Sequence, residues 1–174
     1  AKGISLDYTL TYNFNNSIDD LTLSSGTPEF YENRMIKLPP STTLTKDFVE
    51  NTLSIRGENS KLLTIRLKNY SENSKWQIGG QGSWSFEFHN GELKFSDGTT
   101  DIIKQVILNT QFNEFVCVVN PDTLNFYING SLVGSFTNTI AMPLQPWTEF
   151  EINRNSTSFN IYDFAQVHLG INLD

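Results

Sequence analysis

The residues best suited by type to do chemistry are acids. Glu149-Phe150-Glu151-Ile152-Asn153 alternates, which puts Glu149 and Glu151 on one face of a strand and Phe150 and Ile152 on the other. A glycosidase needs two carboxylates a few ångströms apart, one as acid and one as nucleophile or base. Asn153 stands where a third acid would complete an alternating triplet. Glu87 and Glu92 flank Asn90-Gly91 and are expected to face each other across a hairpin. The histidines, His89 and His168, lie far apart, and neither adjoins a glycine-framed serine. Gly79-Gly80-Gln81-Gly82 lacks the Lys-Ser/Thr and the helix of a phosphate loop. The single cysteine, Cys117, sits in apolar Phe115-Val116-Cys117-Val118-Val119 and reads as a buried, inert thiol. Alone it excludes a disulfide framework and a cysteine-based zinc site. The acids themselves read as solvent-facing side chains opposite buried Phe and Ile, which argues against an enzyme.

Binding is the better-supported chemistry. Sugars present apolar C–H faces and rings of hydroxyls, so a sugar site wants an aromatic platform beside amides or carboxylates. Trp76 follows the polar stretch Asn69 to Lys75 and precedes Gln77, while Trp147 alternates with Glu149 and Glu151. The expected ligand-binding set is Trp76, Trp147, Tyr70, Asn73, Gln77, Tyr127 and Glu149. Trp84 shares a face with Phe86 and Phe88 and is expected in the core.

Those side chains need a scaffold, and composition says which kind. Of 174 residues, 13% are aromatic and thirteen are Phe. Aromatic and β-branched side chains favour pleated sheets. Leu6, Tyr8, Leu10, Tyr12 and Phe14 alternate with polar residues, the period of a strand with one buried face. Short strand-like runs recur along the chain, punctuated by Asn90-Gly91, Asp97-Gly98 and Asn129-Gly130. Phe30 to Leu38, Thr52 to Arg56, Asp101 to Leu108 and Trp147 to Ile152 are read as strands, and Thr43 to Asn51 as room for a helical turn. Residues 1–174 read as one all-β domain, a two-sheet antiparallel jelly-roll sandwich.

The net charge of −7 opposes nucleic-acid backbones and anionic membranes, which call for basic patches. No apolar run approaches the length of a membrane span, so no membrane insertion is expected. The chain opens on Ala without a signal-peptide pattern, which reads as a processed chain or an excised domain. The Asn-, Ser- and Thr-rich surface suits an extracellular or virion-surface location. Four glycosylation sequons begin at Asn15, Asn69, Asn129 and Asn155, and matter only in a secretory eukaryote.

A family resemblance rests on ordered motifs. Trp84-Ser85-Phe86-Glu87-Phe88 precedes the hairpin at Asn90-Gly91. Phe112-Asn113-Glu114-Phe115-Val116-Cys117-Val118-Val119 follows, then Thr123-Leu124-Asn125-Phe126-Tyr127-Ile128-Asn129-Gly130-Ser131-Leu132-Val133-Gly134. Phe14 to Asp20 resembles an opening strand with an acidic turn, and Ile161 to Leu169 a closing strand. This succession resembles the laminin-G-like group of the concanavalin A-like lectin/glucanase superfamily. Glu114-Phe115 stands where that group usually has a tryptophan-histidine pair. The resemblance implies a non-catalytic carbohydrate-binding module, with an oligo- or polysaccharide as partner, set among other domains or subunits of a larger surface or phage-tail adhesion device. The alternatives it carries are a structural or protein-adhesion domain without a sugar site, and a glucanase-like hydrolase. It also implies a possible calcium ion, with Asp19 and Asp20 as the expected ligands and Asp97 to Asp101 as a second loop to inspect.

Overall fold

The alternating segments become strands. The computed structural model describes residues 5–47, 61–69, 75–79, 85–108, 112–140, 149–154 and 156–172. Among them lie β1 (Ser5–Tyr12), β2 (Thr22–Leu23), β3 (Glu29–Tyr31), β4 (Met35–Leu38), β5 (Leu44–Asp47), β6 (Lys61–Asn69), β7 (Trp76–Gly79) and β8 (Ser85–His89). β9 (Glu92–Ser96), β10 (Asp101–Gln105), β11 (Phe112–Val119), β12 (Thr123–Ile128), β13 (Ser131–Thr137), β14 (Glu149–Ile152) and β15 (Asn160–Asn172) follow. No described residue is helical, and no helix among them is long and apolar enough to cross a membrane.

Every pairing between the described strands is antiparallel, and they form two sheets. One runs β13-β12-β11-β6-β15-β4-β3, with β1 added beside β15. The long β15 makes this possible. Its one edge meets β6, while its other edge meets β4 over Asn160 to Tyr162 and β1 over Ala165 to Asn172. The second sheet runs β10-β9-β8-β7-β14-β5-β2. This is the expected all-β, two-sheet jelly-roll sandwich.

The core is the aromatic seam between the sheets. Trp76 of the seven-stranded sheet meets Phe115 of the eight-stranded sheet at 5.1 Å between ring centroids. Phe88 meets Phe115 at 5.2 Å, and Phe86 stacks on Phe126 at 5.9 Å. Such pairs contribute about 0.5–1.5 kcal/mol each beyond the area they bury. Cys117 is buried in this seam, and burial pushes its thiol pKa well up, so it is an inert apolar side chain.

The turns follow their sequence signals. Asn90-Gly91 and Asn129-Gly130 close two-residue hairpins, all four residues having positive φ between 51° and 83°. That is the type I′ geometry that Asn-Gly tolerates best. Asp97-Gly98 is different. It opens a four-residue loop between Ser96 and Asp101, in which the Asp97 carboxylate accepts from the amides of Thr99 (2.9 Å) and Thr100 (2.8 Å). Those amides hold its pKa below the usual carboxylate value.

Three expected elements change. Phe30 to Leu38 is two strands, because Glu32 and Asn33 at φ 54° and 57° turn the chain into a hairpin. Of the stretch Thr43 to Asn51, expected to hold a helical turn, Leu44–Asp47 is β5, whose Thr45 pairs with both Thr22 and Glu151, and residues 48–51 lie outside the described residues. Sheet pairing on both edges overrides the weak local preference. The strand beginning at Asp101 ends at Gln105 rather than Leu108. Thr52 to Arg56 lies outside the described residues.

Candidate functional site

The outer face of the seven-stranded sheet collects the polar side chains that the core strands turn away from the seam. Cross-strand register aligns Thr45, Glu151, Gln77, Glu87, Lys94 and Ile103, one from each of six neighbouring strands. At about 4.8 Å per strand the row extends about 24 Å. A second row, one pleat away, carries Asp47, Glu149, Ser85 and Asp101 around Gly79 and Ser96.

Ion pairs knit the first row together. Glu87 accepts from Lys94 at 2.9 Å and from Arg154 at 3.3 Å, and Arg154 also lies 3.6 Å from Glu151. The Gln77 amide oxygen is buried between these acids with no hydrogen-bond partner among the described residues. An unmet acceptor of this kind costs about 1–3 kcal/mol. Glu149 is the most perturbed acid of the face. Partial burial, a hydrogen bond with the Glu151 carboxyl and the charges of Glu151 and Asp47 raise its pKa to about 7. Crowding by neighbouring acids thus favours the protonated form of Glu149. His89 borders the row opposite Glu92, and its pKa is lowered by desolvation and by Lys75.

The geometry places the expected residues unequally. Gln77 and Glu149 do come together on this face. Tyr127 stands on the opposite sheet, in register with Val116 and Leu132. Trp76, expected as an exposed platform, is in the core at 1% exposure, because the alternation of β7 that sends Gln77 outward sends Trp76 and Ile78 inward. Tyr70, Asn73 and Trp147 lie outside the described residues, as does Trp84.

The acids also depart from expectation. Glu87 and Glu92 do not face each other: Glu87 is opposite Lys94, and Glu92 is opposite His89 while accepting from Gln105 at 2.7 Å. Asn153 does not extend the Glu149-Glu151 series outward. It is fully buried at φ 67°, where its side chain donates to the Thr42 carbonyl (2.8 Å) and accepts from Asn160 (2.7 Å) and Tyr162 (3.0 Å). It is a clamp between the sheets, so an acid there would be a buried charge.

The expected calcium ligands are engaged with protein groups. Asp20 is paired with Lys46 at 2.8 Å, and Asp19 accepts from the Ser17 hydroxyl at 3.2 Å. The Lys46 bond holds the Asp20 pKa below its usual value. No three His, Cys, Asp or Glu side chains cluster as a metal site among the described residues. Residues that sequence reasoning overlooked are Lys94 and Arg154: Lys94 was signalled only by its mirror position to Glu87 about Asn90-Gly91, and Arg154, 67 positions from Glu87, by nothing local.

Comparison with known proteins agrees with the architecture. No curated protein matches the chain by sequence. Among solved structures, the binding domain of botulinum neurotoxin DC in complex with SialylT superposes with a TM-score of 0.62 at 13% identity, covering 90% of this chain and 46% of that one. The chain thus spans about half the length of the toxin domain. The CBM2 module of the evolved Dit of Lactobacillus casei BL23 phage J-1 superposes with a TM-score of 0.56 at 15% identity, over 100% of this chain and 99% of that module. A sialidase superposes with a TM-score of 0.57 at 9% identity, over 92% of this chain and 18% of its own. At these identities the likeness is one of fold. A family model, Laminin_G_3, described as concanavalin A-like lectin/glucanases superfamily, matches residues 53–165, more than half of the sequence. By that match and its two-sheet architecture, the chain belongs to the concanavalin A-like lectin/glucanase superfamily.

Proposed function

We propose that this chain is a single non-catalytic domain that binds carbohydrate on the outer face of its seven-stranded sheet. The carrying observation is the cross-strand row of Glu151, Gln77, Glu87 and Lys94, with Arg154 bridging two of its acids. It offers carboxylates, an amide and cations at one height, as neighbouring sugar hydroxyls require. The unsatisfied Gln77 oxygen lies at its centre and is an acceptor for a ligand hydroxyl. The excess of acids on this face disfavours anionic sugars. Trp147 remains the candidate ring for this ligand, with Tyr70 and Asn73 as further contacts. The likeness to a phage Dit CBM2 module and to a toxin binding domain supports an extracellular or virion-surface setting within a larger assembly.

The test is a glycan array probed with the chain and with Glu151→Gln and Gln77→Ala. Wild type binds one class of uncharged glycan, and each variant weakens that binding about tenfold, the worth of one charge-assisted hydrogen bond. A wild-type chain that binds no glycan sinks this reading in favour of a protein-adhesion domain.

The raised pKa of Glu149 favours a second reading, a glycoside hydrolase, because an acid protonated near neutral pH is what a general acid needs. Its spacing counts against that reading. Hydrolases hold their carboxyls about 5–10 Å apart, whereas Glu149 and Glu151 are in hydrogen-bond contact. Release of reducing sugar that disappears in Glu149→Gln would establish hydrolysis.

A further inference from the structure

The opposite sheet carries a second arrangement. On the outer face of the eight-stranded sheet, Phe164, Lys68 and Phe112 form one cross-strand row. The two phenylalanines stand on either side of Lys68, with ring centroids 6.0 Å apart at 35°. Phe112 is 44% exposed. Phe164 beside it is partly buried, so the pair presents one exposed ring and part of a second on the β-face.

The next row, about 6.8 Å along the strands, is Thr11, Gln166, Arg66 and Glu114. Its groups are fixed by one another. Arg66 donates through Nε to Glu114 at 2.5 Å and through Nη1 to Gln166 Oε1 at 2.7 Å, and Gln166 Nε2 donates to Thr11 at 2.9 Å. One row further, the Thr9 hydroxyl and His168 Nδ1 are 2.8 Å apart. Gln166, Arg66 and Glu114 of the second row and Thr9 and His168 of the third line an open depression of about 490 Å³, together with Thr64, Val116 and Leu62, and the Phe164-Lys68-Phe112 row stands beside it. That volume lies in the roughly 300–1,000 Å³ range of small-molecule sites.

Charge decides the ligand class. Arg66 is neutralised by Glu114, and Lys68 is paired with Asp163 at 3.2 Å. An anion therefore finds its cations already compensated, and a cation finds its carboxylates taken. What remains is a set of oriented hydrogen-bonding groups beside apolar and aromatic surface, held in place before binding, which lowers the ordering cost. We propose that this strip is a second, independent ligand site, for an uncharged sugar residue of a glycan. One ring face lies on Phe112 and Phe164, and the hydroxyls meet the Gln166-Arg66-Glu114 row. Tyr127, in register with Val116, borders the strip on its far side.

The test is calorimetric titration with cellotetraose, laminaritetraose, maltotetraose, a galactan tetrasaccharide and a sialylated trisaccharide, on wild type, Phe112→Ala, Gln166→Ala and Glu151→Gln. At least one neutral tetrasaccharide is expected to bind at a site that Phe112→Ala and Gln166→Ala weaken about tenfold, as loss of an aromatic or amide contact would, and that Glu151→Gln leaves unchanged. Phe112 is exposed enough that a thermal melt should show the variant folded, and Gln166→Ala serves as the second variant if it is not. Binding lost only in Glu151→Gln upholds the first site and overturns this one. Binding lost only in the Phe112 and Gln166 variants does the reverse. This proposal also falls if no neutral sugar binds, if only the sialylated probe binds, or if Phe112→Ala disperses a dimer while sugar affinity stays within twofold.

Discussion

The two outer faces of the sandwich rest on the same pleat and resolve their charges differently. On the seven-stranded sheet Glu149, Glu151 and Glu87 lie near Arg154 and Lys94, and the neighbouring acids Glu151 and Asp47 raise the Glu149 pKa. On the eight-stranded sheet Arg66 meets Glu114 and Lys68 meets Asp163, and the remaining surface is aromatic and apolar. The net charge of −7 is therefore not spread evenly. The first face presents crowded acids and their cations, the second an aromatic and apolar surface beside oriented hydrogen-bonding groups. One fold carries both, because each strand pair sets its own outward row without disturbing the seam.

The largest expected effect separates core from face. Trp76→Ala should cost about 3–5 kcal/mol in urea unfolding, since it opens a cavity against Phe86 and Phe115, whereas Phe112→Ala, on the opposite outer face, should cost below about 1 kcal/mol. If Trp76→Ala abolished sugar binding with stability intact, the assignment of Trp76 to the core would fail.

A smaller effect probes the tension on the acid face. The folded-state pKa of Glu149 is raised to about 7, above its ordinary 4.5, so the folded state holds this proton more tightly than the unfolded chain. The stability this gives is complete below the ordinary value and is lost as pH climbs from about 4.5 to about 7. Because the group is only partly buried, solvent screening reduces the loss to about 1 kcal/mol. Wild type should unfold at lower urea concentration at pH 8 than at pH 5, and Glu149→Gln should remove most of that difference. Asp20 and Asp97, with lowered pKa values, act in the opposite sense at more acidic pH.

The smallest effect tests the balance on the other face. A double-mutant cycle of Arg66→Ala and Glu114→Ala should give a coupling of about 0.2–1 kcal/mol, the worth of a partly exposed pair. A coupling well above that would mean the pair is a structural brace and not a preset part of a binding surface.

Much of the scaffold was legible in the residues. Alternation put Phe150 and Ile152 on the face opposite Glu149 and Glu151, and both are buried, as expected. Asn-Gly fixed two hairpins, and with them the register that sets Glu87 opposite Lys94. The sites were less legible because period two says only that neighbours alternate, not which set faces the seam. Trp76 and Gln77 were both nominated, and only one of two adjacent strand residues can point outward. Asn153 fitted the outward pattern by spacing, yet the chain turns to positive φ there and buries it. Nothing local announces such a turn, because its partners Thr42, Asn160 and Tyr162 come from other parts of the chain.

By itself the sequence determined the all-β class, the hairpins and the net negative charge, since these follow from side-chain period, turn stereochemistry and composition, which act between near neighbours or over the chain as a whole. The tertiary structure decided which residues share a face. Glu151, Gln77, Glu87 and Lys94 span 75 positions of chain, and Phe112 and Phe164 are 52 apart. Only strand order and register bring each set into a row, because hydrogen-bonded pairing between distant strands, and not proximity in sequence, sets what stands beside what.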